Sequence, residues 1–224
     1  MHAFASIPRV KILLALAAAL IAATSVAAAP RLEKQAGTRQ LVVDGKPFLI
    51  LGGELGNSSV SSASYMSEHW ARLRAMHLNT VIAPVYWELI EPTQGKFDWS
   101  SVDALLRDAR AHELKLVVLW FGAWKNSMST YVPSWVKRDP RRFPRARLAD
   151  GSSVEILSAH SAPTRAADTR AFAALLAHLA EVDSRDATVL MIQVENEIGM
   201  LPIARDRSAA GYRCRAARCP SAGW

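Results

Sequence analysis

Apolar positions along this chain recur in two alternating rhythms. Short runs bounded by turn residues read as strands, and stretches with apolar side chains three and four apart read as helices. The first run, LVVDGKPFLILGG, carries Asp44-Gly45 between its apolar halves, which predicts a hairpin turn with Phe48 to Gly53 as the stronger strand. Met66, Trp70, Leu73 and Met76 or His77 then share one helical face, ending near Asn79. TVIAPV (80–85) is a second buried strand. SSVDALLRDARAHE follows, with Ser100 and Asp103 at capping-box spacing and Val102, Leu105, Leu106 and Ala109 on one stripe. LKLVVLW (114–120) is a third strand. A long polar and proline-containing segment, 121–166, separates it from a helix marked by Phe172, Leu175, Leu176 and Leu179. ATVLMIQV (187–194) is the fourth strand and runs straight into Glu195-Asn196-Glu197.

Strands alternating with helices in this order imply a parallel sheet joined by right-handed crossovers. Val, Ile and Met in succession fit strands buried on both faces. An open doubly wound sheet and a (β/α)8 barrel both satisfy the pattern. No G-x-G-x-x-G follows any strand, so the dinucleotide-binding version of the open sheet lacks its main support. Polar residues gather instead at the carboxyl ends of the strands: Glu54, Trp87-Glu88, Trp124 with Asn126, and Asn196-Glu197. A barrel keeps its active site at that end. The expected fold class is α/β, a (β/α)8 TIM barrel with only about the first four β/α units present. Residues 30–203 form this amino-terminal half.

Composition changes little, since half of the 224 residues are hydrophobic and 21% charged, an ordinary globular balance. The net charge of +7 means more once it is located. Residues 1–29 carry +2 and residues 204–224 carry +4, which leaves +1 for 30–203. A nucleic-acid binder carries its basic residues on the folded face that meets phosphate, so that class is set aside. Arg9 and Lys11 precede the apolar run Ile12 to Ala23, and an A-x-A-like site lies near Ala27–Ala29. Residues 1–29 therefore read as a signal peptide whose apolar part is too short for a membrane span of ~20 residues. The mature chain is expected to be periplasmic or secreted, with no membrane attachment after cleavage. Cys214 and Cys219 both lie in the last eleven residues, and no His or acid cluster accompanies them. They support neither a metal site nor a disulfide framework. No metal and no cofactor is expected.

An isolated strand-end carboxylate more often caps a helix or pairs with an arginine than it catalyses. Two neighbouring segments change that weighing. VYWELIEPTQGKFDW (85–99) follows the second strand, and WFGAWKN (120–126) follows the third. With Asn-Glu closing the fourth, the sequence resembles the retaining glycoside hydrolases of clan A, specifically the β-galactosidase families 35 and 42, over about residues 40–203. DGKPFLILGGE (44–54) is similar to the start of family 35, and YVPSW (131–135) to its L-P-x-W. The resemblance implies hydrolysis of terminal β-glycosidic bonds with retention and a carbohydrate partner, a β-galactoside or related oligosaccharide. It also implies Glu197 as the catalytic acid/base and Asn196 on the sugar 2-hydroxyl. The chemistry needs one carboxylic acid to protonate the leaving oxygen and a second carboxylate to attack the anomeric carbon, roughly 5–5.5 Å away. An apolar strand end helps the donor hold its proton near neutral pH. Glu195 points the other way along the strand and reads as structural.

Trp87 and Trp124 are candidate platforms for a sugar face, although a Trp beside a barrel strand serves packing equally well. Glu54, Glu88 and Asn126 are candidates for binding sugar hydroxyls. Glu91-Pro92, Gly95, Phe97 and Asp98 read as shaping a loop. His69, His77, His112 and His178 read as surface histidines on helices, and segment 121–166 as a wall of the pocket. Two departures from family 35, which has a Tyr before the strand-two Trp and a Glu after strand three, bear on galactose preference more than on hydrolysis: Pro84 and Asn126 stand near those positions here. In clan A the nucleophilic Glu closes the seventh strand, so four strands predict a truncated, inactive hydrolase. The tail 204–224 holds five arginines and both cysteines without apolar periodicity, and is expected to be disordered or frame-shifted. The alternative function is a non-catalytic carbohydrate-binding protein, which would keep the Trp and Asn contacts and not need Glu197.

Overall fold

The computed structural model describes residues 29–199 and 204–216, so the expected signal peptide lies outside it except for Ala29. The chain opens with three antiparallel strands, β1 Arg31–Gln35, β2 Thr38–Val43 and β3 Lys46–Pro47. Asp44 and Gly45 join β2 to β3 with φ of 51° and 74°. This left-handed pair is what a two-residue hairpin needs to match the strand twist. The predicted turn is present, but the strand after it is shorter than Phe48–Gly53. Only Gly52–Glu54 forms β4. Before it, the Asn79 side chain replaces a ladder: its Oδ1 accepts from Leu51 N (2.9 Å) and its Nδ2 donates to Leu49 O (2.8 Å). Leu49 and Leu51 themselves remain exposed.

Two longer strands follow, β5 Thr80–Tyr86 and β6 Lys115–Phe121, then the hairpin of β7 Arg145–Arg147 and β8 Ser153–Leu157, and last β9 Val189–Gln193. The main sheet is parallel throughout, in the order β4-β5-β6-β9. β5 and β6 pair along their whole length, from Thr80 opposite Lys115 to Tyr86 opposite Phe121. Pro84 sits inside β5, where a missing N–H would normally break a ladder. The Ile82 carbonyl accepts from Leu55 N on the β4 side. Pro84, two residues on, turns its missing donor to that same side, beyond the end of β4. Among the described residues the sheet has four strands, with β4 and β9 outermost. That explains why β9 is only half-buried where its apolar sequence predicted burial on both faces.

Helices cover this sheet. α1 Ala63–Ser67 is capped by Ser62, whose hydroxyl accepts from Tyr65 N (3.2 Å), and α2 Trp70–Ala75 follows at once. The single predicted helix is thus broken in two, with a tight bond from His69 N to Met66 O (2.9 Å) at the break. Met66 and Trp70 still face the core, whereas Met76 is 66% exposed and His77 turns left-handed at φ 61°. One turn, α3 Trp87–Ile90, ends β5, and α4 Ser100–Ala111 buries Val102, Leu105, Leu106 and Ala109 as the stripe predicted. The capping box does not form. Asp98 caps instead, accepting from Ser100 N (2.9 Å), and Asp103 accepts from His178 Nε2 (2.7 Å). His178 is therefore not a surface histidine: its ring stacks on Trp99 with centroids 4.5 Å apart.

Segment 121–166 contains α5 Ser134–Lys137 and the β7–β8 hairpin. α6 Ala162–Val182 then packs on the sheet through Ala167, Ala171, Leu175 and Leu179, with Leu176 exposed. The tail departs from the expected disorder over 204–216. α7 Ala209–Ala216 forms there, and Asp206 is buried against the hairpin, accepting from Arg147 N (3.0 Å). Cys219 lies outside the described residues.

Candidate active site

The carboxyl ends of β6 and β9 meet through a lysine. Lys125 bridges Asn196 in parallel register, and its ammonium donates to Asn196 Oδ1 (2.8 Å) and to Asn126 Oδ1. It stands 3.8 Å from Glu197 Oε2 and 5.0 Å from the centre of the Phe121 ring. Lysine has only donors, so it fixes the Asn196 amide with its oxygen inward and leaves the Nδ2 hydrogens as the free end. Lys125 is 7% exposed, whereas the Glu197 side chain is 64% exposed. The backbone holds the cluster in tight turns, with φ of 51° at Asn126, 59° at Ser127, 60° at Glu195 and 47° at Glu197. Side chains other than glycine rarely adopt these angles unless their surroundings impose them. Ser127 helps here, donating its hydroxyl to Gly199 O.

Behind this cluster lies a second group. Glu195 points inward and accepts from the backbone N–H groups of Ala123 (3.1 Å) and Trp124 (3.0 Å). Asp168 on α6 accepts from the Trp120 indole (3.0 Å) and lies beside Glu195 under Gly122. Burial raises both carboxyls above their ordinary range. For Glu195 the adjacent Asp168 charge adds to burial and outweighs the two N–H donors, carrying it to about 9. Gly122 closes over the pair. A Cβ there would lie under 3.0 Å from Trp120 Nε1, Asp168 Oδ1 and Glu195 Oε1, so only glycine fits. A cavity of about 420 Å³ opens beside the pair, lined in part by Trp124, Ser158, Thr164, Arg165 and Ile198.

The other predicted residues are dispersed. Glu54 ends β4, exposed and on the opposite outer strand from Glu197. Trp87 is fully buried and donates its indole N–H to Glu91 Oε2 (2.8 Å), so neither ring face is open to a sugar. Glu88 pairs with Lys137 at 3.1 Å, and its backbone N–H donates to Tyr131 O. Trp124 is half-buried with its indole on Leu157 O (3.2 Å) and borders the cavity. The structure thus brings together Asn126, Asn196 and Glu197, and leaves Glu54, Glu88 and Trp87 apart from them. Lys125, the centre of the cluster, was not singled out from the sequence, although it lies in the WFGAWKN segment next to Asn126. Asp168 was missed as well. Its signal was an acid four residues after the buried Thr164, flanked on the same face by buried Ala167 and Ala171. No group of three or more His, Cys, Asp or Glu is placed to hold a metal ion among the described residues.

Residues 40–217 match the family described as Glycosyl hydrolases family 35. The chain belongs to that family. The match runs into the arginine-rich tail. A β-galactosidase of Xanthomonas manihotis is 31% identical over 202 residues, covering 84% of this chain and 30% of that protein. The human β-galactosidase-1-like protein 3 is 31% identical over 168 residues, covering 73% of this chain and 24% of that protein. The chain therefore spans less than a third of the length of these relatives. Among solved structures, a β-galactosidase from the psychrophilic Marinomonas ef1 superposes with a TM-score of 0.53 at 18% identity, covering 72% of this chain and 24% of that one. The catalytic domain of a Paenibacillus polymyxa β-amylase gives 0.51 at 16% identity, covering 64% and 36%. Both likenesses are of fold alone, a TIM-barrel-like α/β arrangement.

Proposed function

We propose that this family 35 chain supplies the acid/base side of a β-galactosidase-like glycoside hydrolase that cleaves terminal β-glycosidic bonds with retention. The observation that carries the reading is the Lys125–Asn126–Asn196–Glu197 cluster at the carboxyl end of a parallel sheet. In this reading Glu197 protonates the departing glycosidic oxygen and later takes a proton from water. Asn196, its oxygen held by Lys125, donates from Nδ2 to the sugar 2-hydroxyl. Asn126 and Trp124 border the same strand ends and are the nearest further candidates for hydroxyl and ring contacts. The second carboxylate, which attacks the anomeric carbon, comes from outside the four described parallel strands. Glu197 stands open to solvent in this chain, and a proton donor works best where water is excluded. Residues 30–224 alone are accordingly inactive. The reading also includes export: residues 1–29 are removed, and amino-terminal sequencing that begins at Met1 in a soluble cytoplasmic fraction would refute it.

Two assays test the chemistry. Residues 30–224 are assayed on an aryl β-galactoside, with robust turnover by a monomer counting against the missing carboxylate. In a longer protein carrying these residues, Glu197→Ala is expected to lose most activity on substrates with poor leaving groups and less on activated aryl glycosides, where protonation matters little. Equal loss on both kinds would leave Glu197 a structural role. Sugar binding without turnover, unchanged by Glu197→Gln, would favour a carbohydrate-binding protein.

A further inference from the structure

Asp168 and Glu195 lie against each other with an unusual set of neighbours. The Trp120 indole N–H from β6 and the Ala123 and Trp124 backbone N–H groups reach them. Arg165 on α6 lines the adjoining cavity, but among the described residues no Lys, Arg or His forms an ion pair with either carboxyl. Asp168 Oδ1 and Glu195 Oε1 both lie under 3.0 Å from the single point a Gly122 Cβ would occupy, and two carboxyl groups brought together in this way bond to each other only when a proton lies between them. Glu195 is also the first residue of the left-handed turn that presents Asn196 and Glu197. Its side chain ties that turn to the end of β6 and, through Asp168, to α6. Gly122 leaves the space in which the three elements converge.

We propose that Asp168 and Glu195 share one proton and that this pair positions Asn196 and Glu197. The positioning role rests on the reading of Glu197 as acid/base, whereas the shared proton does not. The raised affinity of both groups for a proton, caused by burial and by their proximity, agrees with it. Once the pair loses its proton, two negative charges face each other without a cation. That repulsion opposes the hold of the Ala123 and Trp124 amides on the Glu195 anion, and the turn loosens.

The 224-residue chain itself tests this by nuclear magnetic resonance, with labelled glutamate carboxyls and asparagine side-chain amides followed against pH. In the wild type, Glu195 should titrate roughly two or more pH units above its ordinary 4.5, and the Asn196 amide should shift with the same midpoint. Glu195→Gln, whose amide can donate to Asp168, should keep the Asn196 resonance near its low-pH position and abolish its shift. Asp168→Asn should lower the Glu195 midpoint, with burial still holding it above the ordinary range, and it carries the test should Glu195→Gln fail to fold. A wild-type Glu195 titrating in the ordinary range overturns the shared proton. An Asn196 amide that ignores the titration overturns the positioning role. Neither readout uses turnover, so failure of the hydrolase reading and failure of this one are distinguishable.

Discussion

Arg170 Nη2 lies 2.5 Å from Glu91 Oε1, and the carboxylate it meets is fully buried. The same carboxylate accepts from the Trp87 indole (2.8 Å) and from Gly95 N (2.7 Å), while the Glu91 carbonyl accepts from the Trp135 indole (3.0 Å). One glutamate thereby ties the end of β5, the following loop, α6 and the YVPSW segment together. The W-x-x-x-E-P-x-x-G motif is a folding device in this chain. Glu91→Ala should cost about 3 kcal/mol, because it strands the buried Trp87 indole N–H, frees the Gly95 N–H and leaves Arg170 without its partner. Arg170→Ala should cost about 1 kcal/mol, since Glu91 keeps its two N–H partners. Urea unfolding midpoints measure both, and equal costs would place the stability in the ion pair rather than in the indole and loop bonds.

The acid pair gives stability a direction with pH. Glu195 is raised from its ordinary 4.5 to about 9, so its contribution is complete below about pH 4.5 and is lost as pH climbs towards 9. Asp168 is raised as well and acts with the same sign. Partial solvent access through the cavity screens the effect, leaving an expected loss of ~1–2 kcal/mol over that window. Glu195→Gln has nothing to ionise there, so its thermal midpoint should fall less between pH 5 and pH 9 and should exceed the wild type at the upper end. Parallel curves would mean that the pair carries no shared proton.

Much of this was legible in the sequence, for physical reasons that vary by element. β5 and β6 are central strands buried on both faces, and their unbroken apolar runs announced them. The α4 stripe was equally plain, because one side of that helix meets the core along its whole length. Phe48–Leu51 misled because its apolar side chains lie beside an outer strand, where the Asn79 amide does the pairing. The capping box misled because Asp98, two residues earlier, reached Ser100 N first. At the site, the place of Asn196 and Glu197 just after the fourth parallel strand was legible. Trp87 was misread as a possible platform, since nothing local reveals that its indole turns inward to Glu91. Lys125 was illegible for the same reason: a lysine in a polar loop reads as solvated until a long-range contact, here with Asn196, shows it buried.

Lys125 offers a way to separate organisation from stability. Lys125→Met keeps most of the volume and removes a buried charge, while its ionic partner Glu197 is already well solvated. Stability should change by no more than about 1 kcal/mol. The side-chain amides of Asn126 and Asn196 lose their common donor, and their resonances should shift and broaden. A drop of about 3 kcal/mol with those resonances unmoved would make Lys125 a structural residue and remove it from the proposed site.

Asp206 provides the sharpest test of the tail. It is buried, and its carboxylate accepts from Arg147 N (3.0 Å), Ser208 N (2.7 Å), the Ser208 hydroxyl (2.7 Å) and the Ser158 hydroxyl. Arg207 N adds a bond to Arg147 O (2.9 Å), so the tail joins the edge of the β7–β8 hairpin just before α7. Burial alone would raise the Asp206 carboxyl, but these donors outweigh it and hold the group below its ordinary 3.8. A lowered acid contributes stability above its unfolded value and loses it as pH falls through the folded one. Asp206→Ala should therefore cost about 2 kcal/mol and expose 204–216 to protease, and acid below about pH 3.8 should begin to release the same segment in the wild type. Asp206→Asn should fall between the two, because its amide oxygen still accepts while its charge is gone. Limited proteolysis at neutral pH, read by mass, decides the matter. Cleavage within 204–216 at the same rate in the wild type and in Asp206→Ala would mean that the docked tail adds nothing to the fold and that its composition, not its contacts, describes it.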